Sequence, residues 1–307
     1  MGLIELENIT MIYQSGGLMH RSRLRAVRDV SLHLEKGECL ALVGESGSGK
    51  STLGRIAVCL EKPTEGKVLL KNRELDAGAI DRKARQALQM VYQNSFEATN
   101  PRFTARQVVE EPIRYFGLAP KSEWNATIEE LLERVGIPKD EADKKTYEFS
   151  GGQLQRICIA RALAADPEMI LLDEPLSSLD VSVQAQILNL LRHLKEAYGL
   201  TYLLISHDLE TVYNIADRIA VMYAGRIVEE IDDDGLFGKP HHPYTALLLG
   251  SDAEERVPGA KTVAYADELC GCVYAGRCPH AEARCFEERP LLTGRESGHR
   301  IACHFCE

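Results

Sequence analysis

Eight consecutive residues, Gly44-Glu45-Ser46-Gly47-Ser48-Gly49-Lys50-Ser51, carry the spacing G-x-x-x-x-G-K-[ST]. Glycines so placed let backbone amides turn inward around phosphate oxygens. Lys50 then neutralises β- and γ-phosphates, Ser51 offers its hydroxyl to Mg²⁺, and the helix that follows, with Thr52 in its first turn, adds its positive dipole end. A second set, Asp173 and Glu174, ends the apolar run Met169-Ile170-Leu171-Leu172. One carboxylate there holds Mg²⁺, usually through water, and the other orients an attacking water, which makes Glu174 the general base. Alone, such a pair is more often a solvated turn or a helix cap; beside a phosphate loop it reads as chemistry. In a third set, Ser150-Gly151-Gly152-Gln153, Ser150 and Gln153 have capping-box spacing. Two glycines in a first turn cost roughly 1 kcal/mol each. A second anion site that needs close backbone approach fits that loss.

These residues need a scaffold that brings them together. The run Cys39 to Val43 before the loop, Met169 to Leu172, and Tyr202 to Ile205 are apolar without alternation, as strands buried on both faces of a parallel sheet must be. Each delivers polar residues at its carboxyl end, the third through Ser206 and His207. Open α/β sheets bind ligands there, so one shared site is expected. Strands are also read at Gly2 to Leu6, Val30 to Leu34 and Lys67 to Leu70, with a helix at Thr52 to Leu60. From Phe103 to Ala165 apolar spacing of three and four (Ile128, Leu131, Leu132, Val135) marks a helical insertion. Ala224-Gly225 signals a turn between short strands, and a helix follows near Tyr244 to Leu249. A domain boundary is expected near Gly238 to Ser251, giving a main domain of 1–250, with a helical part at about 94–165, and a tail of 251–307.

Bulk properties exclude several classes. The 307 residues are 45% hydrophobic and 27% charged, enough apolar content for a sizeable core. A formal net charge of -10 argues against nucleic acid as the main partner, and the basic cluster His20 to Arg28 is short. No apolar run reaches the ~18 residues that span a bilayer, and Met1 to Glu7 lacks the layout of a signal peptide, so a cytosolic chain is expected. In that reducing setting Cys39, Cys59 and Cys158 read as small core residues, and the other six of nine cysteines crowd the C-terminus.

Phe149-Ser150-Gly151-Gly152-Gln153, just ahead of a strand ending Asp173-Glu174, resembles the signature motif of ABC ATPases. Phe149 stands where leucine is commonest, an apolar exchange. The resemblance implies a P-loop NTPase (ABC ATPase) α/β core with a mixed or parallel sheet, an antiparallel β subdomain and a helical subdomain. It implies ATP and Mg²⁺ as ligands, with Tyr13 stacking on adenine, Gln93 sensing the γ-phosphate and contacting Mg²⁺ beside Ser51 and Asp173, and His207 contacting the γ-phosphate. Ser178-Leu179-Asp180 resembles the D-loop. It further implies that two such domains sandwich two ATP molecules, the signature of each facing the other's nucleotide, so that a lone chain hydrolyses ATP poorly.

The tail narrows the resemblance. His242-Pro243-Tyr244-Thr245 is similar to the motif after the ATPase core of oligopeptide, dipeptide and nickel importers, and Leu53-Gly54-Arg55 to their F-type branch. No catalytic role is read for His241 or His242; unaided, the segment is a loop and helix start. Implied partners are a paralogous D-type ATPase, two transmembrane permease subunits and, through the complex, an extracytoplasmic solute-binding protein, at the cytoplasmic face of the membrane. Cys272-x5-Cys278-x6-Cys285-x17-Cys303 resembles a four-cysteine pattern that holds a 4Fe-4S cluster in some of these importers; Cys270 and Cys306 are spare. As chemistry, four thiolates suit an iron-sulfur cluster, structural zinc or free thiols, and the spacing matches neither a zinc ribbon nor a ferredoxin. In this cysteine-rich extension a metal clip would supply folding energy. Peptide is the expected cargo; nickel or another small solute, or an ABC subunit of a soluble carbon-phosphorus lyase assembly, are the alternatives. Soluble ABC proteins of DNA repair or translation carry paired cassettes, coiled coils or inserted zinc modules, which this sequence lacks.

Overall fold

In the computed structural model, which describes residues 2–15, 22–232, 242–250, 270–294 and 298–305, the apolar runs become strands and the three-four spacings helices. In chain order the elements begin with β1 (Ile4–Ser15), β2 (Ser22–Leu34), β3 (Cys39–Val43), α1 (Lys50–Ala57), β4 (Glu65–Leu70) and β5 (Arg73–Leu75). Next come α2 (Arg82–Ala87), β6 (Leu88–Val91), α3 (Ala105–Phe116), α4 (Trp124–Arg134), α5 (Gly151–Leu163), β7 (Met169–Asp173), α6 (Val181–Tyr198) and β8 (Thr201–Ser206). The chain continues with α7 (Leu209–Tyr213), β9 (Arg218–Tyr223), β10 (Arg226–Asp232), α8 (Pro243–Leu248), α9 (Ala283–Glu287), β11 (Thr293–Gly294) and β12 (Arg300–Ile301). They form two units: Met1–Leu34 with Cys39–Gly78 and Ser206–Glu307, and Glu35–Glu38 with Ala79–Ile205.

The first unit holds an antiparallel sheet in the order β2-β1-β4-β5, and a mixed sheet portion in which β3 runs parallel to β9, β9 antiparallel to β10, and β10 antiparallel to β12. The β9–β10 hairpin turns at Ala224 (φ 45°) and Gly225 (φ 84°), the two positive φ values of a tight hairpin. β1 and β2 run longer than Gly2 to Leu6 and Val30 to Leu34. Register shifts after Leu6 and Ile9 break the alternation that marks a strand, with Asn8 (φ 51°) and Asp29 (φ 53°) in left-handed backbone. The five residues of β3 are all buried, as its apolar run requires.

The second unit places β6, β7 and β8 in parallel, Met169 opposite both Leu88 and Thr201. All five residues of β7 are buried. The expected helical insertion is α3, α4 and α5. A Thr104–Gln107 capping box opens α3 and Gly117 in left-handed conformation (φ 65°) closes it. α2 and β6 lie where no periodic signal announced them. Part of the expected boundary near Gly238 to Ser251, as well as His241 and Cys306, lies outside the described residues. Among the described residues no helix is long and apolar enough to cross a membrane.

Candidate functional site

In the first unit, buried β3 ends in the phosphate loop. Gly44 (φ 155°) and Gly49 (φ 106°) must be glycine: a β-carbon at Gly44 would run into the Met222 carbonyl oxygen, and one at Gly49 into that of Ala26. The loop is thus clasped between β9 and β2, and Gly225 N–H donates to the Ser48 carbonyl at 2.9 Å. Lys50 is buried, its Nζ donating to the carbonyls of Gly44 (2.6 Å) and Glu45 (2.9 Å). That arrangement sets an ammonium inside a ring of backbone. α1 begins at Lys50 behind Gly49, which has no side chain to cap the helix, and Ser51 and Thr52 sit in its first turn. Tyr13, half-buried on β1, lies 3.3 Å through its hydroxyl from Thr52 Oγ1, and donates to Glu61, which Arg55 pairs at 2.6 Å. His207, also in this unit, is exposed beyond Ser206, whose Oγ accepts from Asp208 N–H at 3.0 Å.

The second unit gathers the carboxylates. Asp173 is buried and Glu174 half-buried at the end of β7. Glu174 adopts φ 45°, uncommon for a residue with a side chain, and its N–H donates to Ile205 O at 3.0 Å. Gln93 Nε2 donates to Glu174 Oε2 at 3.3 Å and to Ser177 Oγ at 3.2 Å, so Gln93 and Glu174, 81 positions apart in sequence, stand together. β7 and β8, two of the three strands read as carrying polar chemistry, are parallel neighbours with Asp173 opposite Ile205. The third belongs to the first unit.

The Ser150 side chain accepts from Gln153 N–H at 3.3 Å, while Gln153 Oε1 accepts from Ser150 N–H at 3.0 Å, completing the box that opens α5. Gly152 has no room for a side chain: a β-carbon would sit 2.5 Å from Val183 Cγ1, and one on Gly151 3.5 Å from Leu179. The signature glycines therefore pack against the segment Ser178-Leu179-Asp180 and the start of α6. Gln184 holds that segment, its Nε2 donating to the carbonyls of Leu176 (3.1 Å) and Leu179 (3.0 Å). Sequence spacing gave no sign of Gln184 or Ser177, whose roles come only from the turn they fasten.

In the first unit the tail builds a cavity of about 260 Å³ lined by Cys272, Cys278, Cys285 and Cys303 together with His280 and His304. Cys272 N–H donates to Cys285 O at 2.7 Å. Burial pushes the Cys272 thiol up to about 11, against a Tyr274 backbone hydrogen bond that lowers it, and the other three cysteines raise it further. Among the described residues no group of three or more His, Cys, Asp or Glu is arranged to hold a metal ion, so neither the expected iron-sulfur cluster nor zinc is supported by the arrangement of these side chains. Cys39, Cys59 and Cys158 are buried core residues as expected, and Cys270 is exposed.

His242-Pro243-Tyr244-Thr245 has a structural part that spacing alone did not disclose. His242 caps α8 with its ring, Nδ1 accepting from Tyr244 N–H at 3.1 Å, and burial lowers its pKa to about 4, so it accepts as a neutral imidazole. Tyr244 is fully buried and its hydroxyl accepts from Glu45 N–H, in the phosphate loop, at 2.7 Å.

Residues 27–177 match a family model described as ABC transporter. Over 318 residues the chain is 42% identical to the oligopeptide transport ATP-binding protein AppF of Bacillus subtilis (strain 168), covering 98% of this chain and 97% of that protein. The chain belongs to the ABC transporter family. Residues 228–285 of this ABC transporter chain also match the model of the oligopeptide/dipeptide transporter C-terminal region. Among solved structures, the ABC fold recurs at TM-score 0.67 in the dimeric post-hydrolysis state of the ATP-binding cassette MJ0796 bound to ADP and Pi. That cassette is 33% identical, with 76% of this chain and 99% of that one covered. It recurs at TM-score 0.65 in cbiO1 from Clostridium perfringens, part of the ABC transporter complex cbiONQ, at 25% identity over 76% of this chain and 89% of that one.

Proposed function

We propose that this chain is the ATP-binding and ATP-hydrolysing subunit of a membrane importer, and that the importer takes up peptides. The observation that carries the reading is the 42% identity, across 98% of the chain, to an oligopeptide transport ATP-binding protein. The importer-type C-terminal region at 228–285 supports the same cargo class.

In this reading Gly44 to Thr52 cradle the triphosphate, Lys50 releases its two loop carbonyls to neutralise β- and γ-oxygens, and Tyr13 stacks on adenine. Ser51, Asp173 and Gln93 are the residues that would hold Mg²⁺, which when bound would offset charge on the phosphoryl group. Glu174 is the general base: it takes the proton of the attacking water, with Gln93 at its Oε2 and His207 at the γ-phosphate. Ser150, Gly151, Gly152 and Gln153 serve the nucleotide of a second, paralogous ATPase across a dimer, and Ser178-Leu179-Asp180 lies beside them. Two permease subunits and an extracytoplasmic solute-binding protein complete the assembly at the cytoplasmic face of the membrane.

For the tail we propose a 4Fe-4S cluster held by Cys272, Cys278, Cys285 and Cys303. What supports the reading is that four thiols line one cavity, a donor set that suits an iron-sulfur cluster, with structural zinc as the alternative. When bound, the cluster would act as a folding clip for a segment of few elements. Purified without oxygen, the chain should carry about four iron and four sulfide per protein, and Cys285→Ser should lose both; a full complement of zinc would refute the cluster.

The assembly is tested by expressing Glu174→Gln with a purification tag in its native cell, holding it with ATP and identifying co-purifying proteins by mass spectrometry. Two membrane-spanning subunits with a second ATPase are expected. The solute-binding protein then discriminates peptide from nickel or another solute. A soluble enzyme set without membrane partners, as in carbon-phosphorus lyase systems, would refute transport and leave the ATPase reading standing.

A further inference from the structure

The phosphate loop has a carboxylate in its second position, an awkward charge to place where a triphosphate binds. Glu45 is met by Arg277, which follows it by 232 residues: Nη1 donates to Glu45 Oε2 at 2.8 Å and Nη2 to Oε1 at 3.1 Å. This two-pronged fork is the strong form of the arginine–carboxylate pair. The guanidinium is itself held, 5.7 Å from the ring centroid of Tyr223 and 5.9 Å from that of Tyr274. Those two rings pack edge to face at 5.2 Å, and Tyr244, whose hydroxyl takes the Glu45 N–H, packs against both. Glu45 is thus held by backbone and side chain at once. Arg277 immediately precedes Cys278, and Cys278 and Tyr274 both line the cysteine cavity.

We propose that Arg277 is a positioning residue for the phosphate loop: it cancels the Glu45 carboxylate beside the bound triphosphate and makes the cysteine segment part of the nucleotide site's support. Without the guanidinium, the loop would present an uncompensated negative charge to an anionic ligand. The side chains are 25% (Arg277) and 42% (Glu45) exposed, so solvent and salt screen the effect and it is modest. It is selective nonetheless, because it acts through one named carboxylate.

The inference rests on the loop being an ATP site, and the experiment separates the two. ATP affinity is measured by titration of the whole chain as wild type, Lys50→Ala, Arg277→Gln, and Arg277→Gln combined with Glu45→Gln. Arg277→Gln is expected to bind ATP about three- to tenfold more weakly. The double variant should regain most of that loss, because the uncompensated carboxylate is gone, whereas a merely structural arginine would leave it equally weak. Unchanged affinity in Arg277→Gln, or a double variant no better than the single, overturns the inference. If Arg277→Gln does not melt cooperatively, Arg277→Lys takes its place, keeping charge without the fork; it is expected to lose about twofold, again relieved by Glu45→Gln. Unchanged affinity in Arg277→Lys, or a loss unrelieved there, is equally fatal. A wild-type chain that binds no ATP overturns the site itself, while binding that is lost in Lys50→Ala yet indifferent to Arg277 overturns only the role of the arginine.

Discussion

At the scale of single residues, Glu174 concentrates several constraints: left-handed backbone at φ 45°, an N–H tied to Ile205 and a carboxylate touched by Gln93. Such backbone is held in place only by surroundings that over-determine it, and it clusters at working sites. Glu174→Gln keeps the shape and removes the proposed base, so ATP binding should persist while turnover falls by about 10² to 10⁴-fold. Turnover at the wild-type rate in a phosphate-release assay would remove Glu174 from that role. Lys50→Ala should instead weaken nucleotide binding itself, seen directly by titration. These two residues were legible because the loop and the acidic pair are local patterns. Arg277 and Tyr244 were not, because their partner Glu45 is 232 and 199 positions away and no local rule links them.

Among the elements, the runs that announced β3, β7 and β8 were readable because burial on both faces leaves nothing polar to interrupt them. The Ser150–Gln153 box was readable because capping is a contact between near neighbours. β1 and β2 were only partly readable, since bulges at Asn8 and Asp29 shift the inward face along each strand. α6 shows what such reading omits. Gln184, one turn in, reaches back to two carbonyls of the preceding segment, so Gln184→Leu should cost about 1–2 kcal/mol of stability and lower the melting temperature in calorimetry. Hydrolysis should fall as well, because the same bonds shape Ser178-Leu179-Asp180 against the signature glycines. An unaltered melting point would show that the clasp carries no weight.

On the scale of the whole molecule, the proposed role of Ser150 to Gln153 at a second ATPase's nucleotide would make activity depend on association. With ATP, Glu174→Gln should run in light scattering as a dimer with its partner ATPase and separate when ATP is removed; a permanent monomer would contradict the sandwich. The order of segments in the chain has a different consequence. The strand beneath the phosphate loop, β3, has β9 as its neighbour in the first unit, and β10 beside that is edged by Arg300 and Ile301 of β12. Nearly all of the second unit, residues 79–205, is encoded between them. During synthesis at ~5–20 residues per second, the newborn phosphate loop therefore waits roughly ten to forty seconds for β9 to emerge. The second unit can form on the ribosome in that interval, whereas β3 must stay protected, as by a chaperone, until β9 has been synthesised.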